Sequence, residues 1–195
     1  MTYSQQGLSL LNSPDNALIS DPEYKITTAA PLYKWSAAVM GCSAEIVPAV
    51  QDKVKNGFKS RDYYKKALEL DCEDYYTIYS LGRWHYEVYM LPSLLKRSAN
   101  WISPEPYNST VDDCLKELEK IIEIFPYEEP FKEFPSDISY LLGRCYQEKK
   151  DLGKAKKYIT NAKNIVDRWP TDGLISKKLD VAEKTSITKL YGQIC

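Results

Sequence analysis

Residues 81–88 read Leu81-Gly82-Arg83-Trp84-His85-Tyr86-Glu87-Val88, and this run decides the fold. It combines large apolar and aromatic side chains with one small residue, Gly82, whose size allows a second helix to approach closely. We predict that the run belongs to the first helix of a helical hairpin in residues 71–122. The second helix, residues 112–125, follows an unusually long connection at residues 91–110, which prolines interrupt.

The same spacing of small and apolar residues occurs on both sides of this run. A tetratricopeptide repeat has 34 residues in two antiparallel helices, with small residues where the helices touch. Ala67 lies 14 residues before Leu81, as the contact alanine does before the next Leu-Gly pair in such repeats. A third copy of the pattern is carried by Leu142-Gly143, Tyr146, Ala155, Ile159 and Ala162. The spacing therefore predicts about three consecutive hairpins.

Two insertions interrupt this register. The first adds 20 residues between His85 and Cys114, and the second adds 7 within residues 126–135. A long loop in a compact domain is usually functional or covers exposed core. Because Leu94, Leu95 and Trp101 are apolar, we expect residues 91–101 to be partly helical and to pack against the domain as a cover over its groove. Trp101 is predicted to be the buried side chain that holds this cover in place.

The predicted fold class is all-α. We expect a tetratricopeptide-like α-α superhelix of about three hairpins, with the long loop inserted in the second hairpin. Helices are predicted at residues 31–41, 50–70, 136–149 and 152–166, and a capping helix at residues 171–191 closes the open end of the stack. Residues 1–24 are predicted to be a weakly structured extension, and residues 25–195 to be the repeat domain.

Composition excludes several classes of protein. No apolar run approaches the roughly 18 residues of a membrane span, and residues 1–7 lack the basic and apolar order of a secretory signal. These features predict a cytoplasmic protein that is not transmembrane. The five cysteines are widely spaced without a CxxC motif, so we expect no disulfide framework and no metal site, with the internal cysteines buried. No glycine-rich phosphate loop occurs, and no cofactor is expected.

His85 is the single histidine of the chain. A nucleophilic serine or cysteine with a histidine base would have to use it. No acidic residue lies at a sequence spacing that would mark it as the acid that orients this histidine. We therefore expect no enzymatic activity and a structural role for His85. A hydrolase using His85 is the competing interpretation, which a buried and isolated histidine would contradict.

Three segments together resemble the regulator of microtubule dynamics family. They are the run at residues 81–88, then Leu91-Pro92-Ser93-Leu94-Leu95-Lys96-Arg97, then Pro106-x-x-Ser109-Thr110. The resemblance covers residues 30–162, and the 20-residue insertion is its most specific feature. It implies a non-enzymatic protein with tetratricopeptide-like repeats that associates with tubulin in microtubules and with the mitotic spindle. It also implies a second possibility, since the similar repeat domain of one relative binds phospholipid.

Positive charge is concentrated near the end of the chain. Residues 141–195 hold 12 Lys and Arg against 6 Asp and Glu, although the whole chain has a net charge of −1. Such a surface could engage the acidic tails of tubulin or anionic lipid head groups, or it could be a solvated helical face. Nucleic-acid binding is not expected, because the pI is about 6.0 and the sequence contains no nucleic-acid recognition motif. The candidate partner-binding residues are Lys149, Lys150, Lys154, Lys156, Lys157 and Lys163.

Aromatic residues suggest a second candidate surface. The chain contains 16 tyrosines, many of them in the first two predicted hairpins. Tyr79, Tyr86 and Trp101 are predicted to line a concave groove that takes a peptide or a phospholipid. The competing interpretation is that these rings pack between helices with their polar tips at the surface.

Overall fold

The structure is a computed structural model that describes residues 3–11, 13, 20–102, 108–124, 135–168 and 177–194. Its regular elements in these ranges are all helical, which confirms the all-α prediction. The chain divides into two compact units, Met1–Ile124 and Phe125–Cys195. The elements are α1 (Tyr3–Leu11), α2 (Pro22–Tyr24), a π-helical segment (Lys25–Ala29), α3 (Ala30–Ile46), α4 (Val50–Leu70), α5 (Tyr75–Met90), α6 (Ser93–Ile102), α7 (Val111–Ile124), α8 (Pro135–Glu148), α9 (Leu152–Arg168) and α10 (Lys177–Ile194).

The helices pair as the spacing predicted. In the first unit α3 packs on α4, and α5 packs on α7 across the insertion that contains α6. In the second unit α8 packs on α9, and α10 packs on α9 in turn. This pairing is consistent with a tetratricopeptide-like arrangement. The assignment of residues 25–195 to one repeat domain remains a prediction.

Two glycines mark the places where paired helices touch. A Cβ on Gly82 would lie 3.2 Å from Leu118 of α7, and a Cβ on Gly143 would collide with Ile159 of α9. Leu118 and Ile159 are both fully buried. The prediction that these glycines allow close packing inside helices is therefore confirmed, and the two hairpins use equivalent positions.

One core cluster of the first unit surrounds Trp84. Its ring packs with Val54 and Phe58 of α4, Val88 of its own helix and Ala99 of α6. Its indole Nε1 donates a 3.0 Å hydrogen bond to the Gly57 carbonyl oxygen. This bond satisfies the single polar atom of the ring, as buried tryptophan requires. Trp84 thus connects three helices.

Helix α3 does not end at Gly41, where a stop was predicted. It continues to Ile46, because Gly41 faces α4 rather than closing a helix. A Cβ on Gly41 would lie 3.3 Å from Ser60 Oγ, and that hydroxyl donates a 2.8 Å hydrogen bond to the Ala37 carbonyl oxygen. The glycine therefore permits close contact between α3 and α4.

The insertion is helical as predicted, but its anchor is not Trp101. Helix α6 turns Ala99, which is 1% exposed, toward the core, whereas Trp101 is 94% exposed and Leu94 is 72% exposed. The prediction that Trp101 holds the cover down is wrong. The reason is helical geometry, because Trp101 is two residues beyond Ala99 and so projects from a different side of the helix. Residues 103–107 lie outside the described residues, as does most of the second insertion.

Part of the N-terminal segment is ordered on the first unit. Helix α1 buries Leu8 and Leu11 against a cluster that includes Tyr33 of α3 and Ala67 of α4. Asp21 Oδ1 accepts a 2.9 Å hydrogen bond from the Glu23 amide and so caps α2. No described helix combines the length and the apolar character needed to cross a membrane.

The cysteine and capping-helix predictions are met in part. Cys114 and Cys145 are fully buried, as expected, but Cys42 and Cys72 are exposed. Helix α10 buries Ile187 against Ala162 and Val166 of α9. Its predicted beginning at residue 171 lies outside the described residues.

Candidate functional site

The candidate site begins at the turn between α8 and α9. The Lys150 amide bonds to the Gln147 carbonyl at 2.9 Å, and the Asp151 amide bonds to the Tyr146 carbonyl at 3.0 Å. This is a Schellman motif, whose left-handed position usually holds glycine. Here that position holds Lys150, with φ at 61°. A lysine is therefore kept at the tip of the hairpin in a conformation that disfavours side chains.

Asp151 starts the second helix of this hairpin. Its carbonyl oxygen accepts from the Ala155 amide at 2.9 Å, and its Oδ1 accepts from the Lys154 amide at 3.1 Å. A side-chain oxygen at this position satisfies one of the amides that a helix leaves unbonded. The turn thus keeps Lys149 and Lys150 close in sequence and space to the first turn of α9.

Two lysines and two tyrosines form a lysine–tyrosine stack, which consists of Lys154, Tyr146, Tyr158 and Lys157. The tyrosine rings are parallel, with centres 5.6 Å apart and planes 4° from each other. Lys154 Nζ lies 4.7 Å from the centre of the Tyr146 ring, and Lys157 Nζ lies 5.6 Å from the centre of the Tyr158 ring. Each ammonium group therefore rests against an aromatic ring within cation–π range.

Helical periodicity explains why this stack stays at the surface. The buried residues of α9 are Ala155, Ile159, Ala162 and Val166, which recur every three or four positions and face α8 and α10. Lys154 and Lys157 are exposed beside this stripe, and Tyr158 is half-buried at its edge. Tyr146 of α8 is only 6% exposed. The stack is built on a rigid hairpin rather than on a loop.

The other two candidate lysines differ in their surroundings. Lys156 is exposed on α9. Lys163 pairs with Asp167 one turn along the helix, and its ammonium group lies 5.6 Å from the centre of the Tyr191 ring. Because Asp167 offsets its charge, Lys163 adds less positive potential than Lys154 or Lys157 does.

The aromatic candidates belong to the first unit, and the lysines belong to the second. Tyr86 is 8% exposed and packs near Tyr89, with ring centres 6.3 Å apart, so it belongs to the core. Tyr79 is half-buried on the same helix, and Trp101 projects into solvent. The structure does not gather these three rings around a described cavity, and the groove ligand remains a prediction.

His85 lies in a polar cluster at the two ends of the insertion. Its Nδ1 is 2.7 Å from the hydroxyl of Ser109, and the tautomer of the imidazole decides which group donates. Asp113 Oδ2 accepts from the Thr110 amide and hydroxyl, each at 2.8 Å. In return the Thr110 hydroxyl accepts from the Asp113 amide at 3.2 Å, which closes a capping box at the start of α7.

The electrostatics of this cluster favour a neutral histidine. Burial lowers the pKa of His85 below its ordinary 6.5, although the carboxylates of Asp113 and Glu117 act in the opposite direction. Burial also tends to raise the pKa of Asp113, but the two hydrogen bonds from Thr110 outweigh it and the pKa is lowered. The lowered pKa of Asp113 favours the ionised carboxylate, which accepts both hydrogen bonds from Thr110.

The cluster lacks the geometry of a hydrolase. In a catalytic triad the serine faces Nε2 of the histidine and the acid faces Nδ1, whereas here the serine faces Nδ1. Ser109 is 4% exposed, and the Asp113 carboxylate is engaged by Thr110. His85 is nevertheless bonded to a serine, which sequence reasoning did not foresee. In the part of the chain that is described, no group of three or more potential ligands could hold a metal ion.

Sequence reasoning identified the lysines but missed Tyr146 and Tyr158. The signal was present, because Tyr146 sits on the face of α8 that turns toward α9, and Tyr158 follows Lys154 by one helical turn. Cross-helix ring stacking depends on how α8 and α9 are paired, so only the folded hairpin reveals it.

Comparisons with known proteins identify the same family that the three sequence segments resemble. The family model for regulator of microtubule dynamics protein 1-3 matches residues 19–186. Regulator of microtubule dynamics protein 3 of Mus musculus is 28% identical over 155 residues, which are 80% of this chain and 32% of that protein. The Xenopus laevis protein 3 is 30% identical over 124 residues, covering 64% of this chain and 25% of that protein. Protein 1 of Caenorhabditis elegans is 25% identical over 131 residues, 66% of this chain and 54% of its own length. The chain thus spans about a third of the mouse relative.

Proposed function

Because this chain belongs to the regulator of microtubule dynamics family, we propose that it is a non-enzymatic helical-repeat protein that binds microtubules. Its place of action would be the cytoplasm, including the spindle. The observation that supports this proposal most directly is the lysine–tyrosine stack at the end of the α8–α9 hairpin. This surface supplies several positive charges on a rigid support, which suits a flexible acidic segment of a partner.

The mechanism is electrostatic attraction of acidic tubulin tails to the hairpin lysines. Exposed charges attract across roughly 8–10 Å at physiological salt, so the contact needs no unique geometry. The tyrosine rings restrict Lys154 and Lys157 before binding, which reduces the side-chain entropy lost when a carboxylate pairs with them. Lys149, Lys150 and Lys156 add to the potential, and Lys163 adds less than Lys154 or Lys157 because Asp167 offsets its charge.

Co-sedimentation with microtubules tests this function. The full chain should pellet with microtubules at low salt, less so as salt is added, and less again when the acidic tubulin tails are removed. Replacing Lys154, Lys156 and Lys157 by glutamate should weaken binding at least about tenfold, since three attractive contacts become repulsive. Failure of the wild-type chain to pellet at low salt would refute the proposal.

A matched control distinguishes the effect of the hairpin lysines on binding from the effect of total charge. Lys53, Lys55 and Lys59 are exposed on α4 of the first unit, and their replacement by glutamate changes the total charge equally. This control should retain most of the binding. An equal loss in both triple variants would mean that overall charge, and not the hairpin, attracts the microtubule. The variant Tyr158→Leu keeps every lysine but removes a ring, and a two- to fivefold loss is expected.

Anionic phospholipid is the alternative ligand for the same lysines. Lipid head groups offer negative charge without fixed geometry, as tubulin tails do. Vesicles that contain phosphatidylserine, run beside microtubules in the same assay, distinguish the two. Binding to vesicles but not to microtubules would mean that the hairpin lysines bind a membrane surface. A phospholipid or peptide held in a groove would instead survive the lysine substitutions and co-purify with the chain.

A further inference from the structure

Helix α3 is apolar on two opposite sides. Its inward side buries Ala30, Tyr33 and Ala37. Tyr33 and Ala37 pack with residues of α1, α4 and α5. Only Lys34 and Glu45 are charged among its 17 residues. A helix that covers a core on one side normally turns a polar side to water, whereas one that is apolar all round is normally buried. The outward side of α3 therefore lacks the character expected of a solvated surface.

The outward side carries a continuous apolar stripe, here called the α3 seam, which consists of Trp35, Val39, Cys42 and Ile46. Trp35 is 58% exposed, Val39 43% and Ile46 81%, and Cys42 is exposed as well. The residues follow one another at steps of four, three and four, the spacing of a coiled-coil seam. They extend about 16 Å along the helix, and Tyr76 of α5 continues the stripe, with its ring centre 5.9 Å from that of Trp35.

We propose that two copies of this chain associate through the α3 seam, with their α3 helices antiparallel about a two-fold axis. The spacing is symmetric about a point midway between Val39 and Cys42. An antiparallel pair therefore sets Trp35 of each copy against Ile46 of the other, and Val39 against Cys42. Large residues meet at the two ends and small ones at the centre, as a self-complementary interface requires.

Charge favours the same orientation. Lys34 and Glu45 lie on one flank of the seam at opposite ends of α3, and in an antiparallel pair each flank faces its own equivalent. Lys34 of one copy then comes close to Glu45 of the other. A parallel pair would set this flank against the one that carries Leu32, Met40 and Ser43, which offers no charge. Lys34 also pairs with Asp74 at 2.9 Å, so its position beside the seam is held before association, while Asp74 offsets part of its charge.

Sedimentation of the full chain over a range of concentrations tests the proposal. The wild-type chain should sediment with the mass of two chains. Val39→Glu places two unpaired carboxylates at the centre of the interface and should weaken association at least about 100-fold. The matched control is Leu94→Glu, which changes an exposed leucine of α6 and should leave the dimer intact. Circular dichroism should give both variants wild-type helicity.

Cross-linking tests the antiparallel register. Chains with Val39→Cys and Cys42→Ser are mixed with chains that retain Cys42, and both carry Cys72→Ser and Cys195→Ser. Diamide should then form a disulfide between the two kinds of chain, because residue 39 of one lies against residue 42 of the other. A monomeric wild type at about 100 µM, or equal cross-linking when only the first kind is present, would overturn the proposal. So would a dimer that survives Val39→Glu. A monomer whose seam binds another protein would equally overturn it.

Discussion

His85 and Ser109 meet through a 2.7 Å hydrogen bond although 24 residues of sequence separate them. His85 lies on α5, and Ser109 lies two residues before α7 begins. The bond therefore joins the two ends of the insertion. Three residues before His85, Gly82 sits against Leu118 of α7. The insertion is thus closed at its base, and the α5–α7 hairpin can pair as if the additional residues were absent.

Removing the Ser109 hydroxyl should destabilise the first unit. Ser109→Ala leaves the half-buried Nδ1 of His85 without this partner, and losing such a bond lowers the free energy of unfolding by about 1 kcal/mol. Urea denaturation measures the change. Ser186→Ala alters an exposed serine of α10 and should have no comparable effect. Equal stabilities for the two variants would show that the His85–Ser109 bond contributes nothing.

The stability of the first unit should fall as the pH drops below about 6.5. Folding lowers the pKa of His85, so the unfolded chain binds a proton at a higher pH than the folded chain does. The stability that neutral His85 contributes is therefore fully present above its pKa in the unfolded chain. It is lost as the pH falls toward its lower pKa in the folded chain. Thermal melting at pH 7.5 and 5.5 tests this with His85→Phe as reference, because the chain has no other histidine. The same pH dependence in both proteins would contradict the assignment.

Trp101→Ala should leave the fold almost unchanged. The ring is 94% exposed, and surface substitutions usually alter the free energy of unfolding by no more than about 0.5 kcal/mol. The contrasting variant is Ala99→Glu on the same helix, which places a carboxylate in the cluster around Trp84 and should cost about 3 kcal/mol or more. Chemical denaturation measures both. A large loss from Trp101→Ala would restore the anchoring role that the sequence suggested.

Enlarging Gly143 should destabilise the second unit. Even a methyl group at this position collides with Ile159, and overpacking of this kind usually costs about 1–3 kcal/mol. Gly143→Ala is the test variant, with Gly192→Ala as control, because a Cβ at Gly192 meets nothing within 4 Å. The control should be neutral or slightly stabilising, since alanine favours helix. Thermal melting compares them, and a tolerated Gly143→Ala would mean that α8 and α9 are less closely packed.

Lys150→Gly should change stability and binding in opposite directions. Glycine relieves the left-handed conformation at φ 61°, which disfavours a side chain by about 1 kcal/mol. The melting temperature should therefore rise, while microtubule binding should weaken because one hairpin charge is lost. Lys150→Ala separates the effects, since it removes the charge but keeps the strain. If Lys150→Gly bound as tightly as wild type, this lysine would lie outside the binding surface.

The helices and their pairing could be predicted from the sequence because both depend on local periodicity. Gly82 and Leu118, like Gly143 and Ile159, are placed by the spacing of small and large residues along each helix. The predicted boundaries of α4 at residues 50–70 agree with the structure because its stripe of apolar residues is long and regular. The end of α3 was misplaced because a glycine that admits a neighbouring helix looks the same in sequence as one that stops a helix.

The candidate site was only partly accessible to sequence reasoning. The lysines of α9 were found because charge is a property of each residue. Tyr146 and Tyr158 were missed because their stacking depends on the pairing of two helices. Trp101 was assigned to the wrong environment because the rotation of α6 is set by which side of it reaches Trp84, and Ala99 occupies that side.

By itself the sequence determined the helical class, the hairpin order and the concentration of positive charge, since periodicity and composition act residue by residue. The tertiary structure alone decided that Lys154 and Lys157 rest on stacked rings. It alone also decided that His85 bonds to Ser109 and that α3 leaves its second apolar side exposed. Each of these depends on distances between residues far apart in the chain, and such distances exist only once the helices have packed.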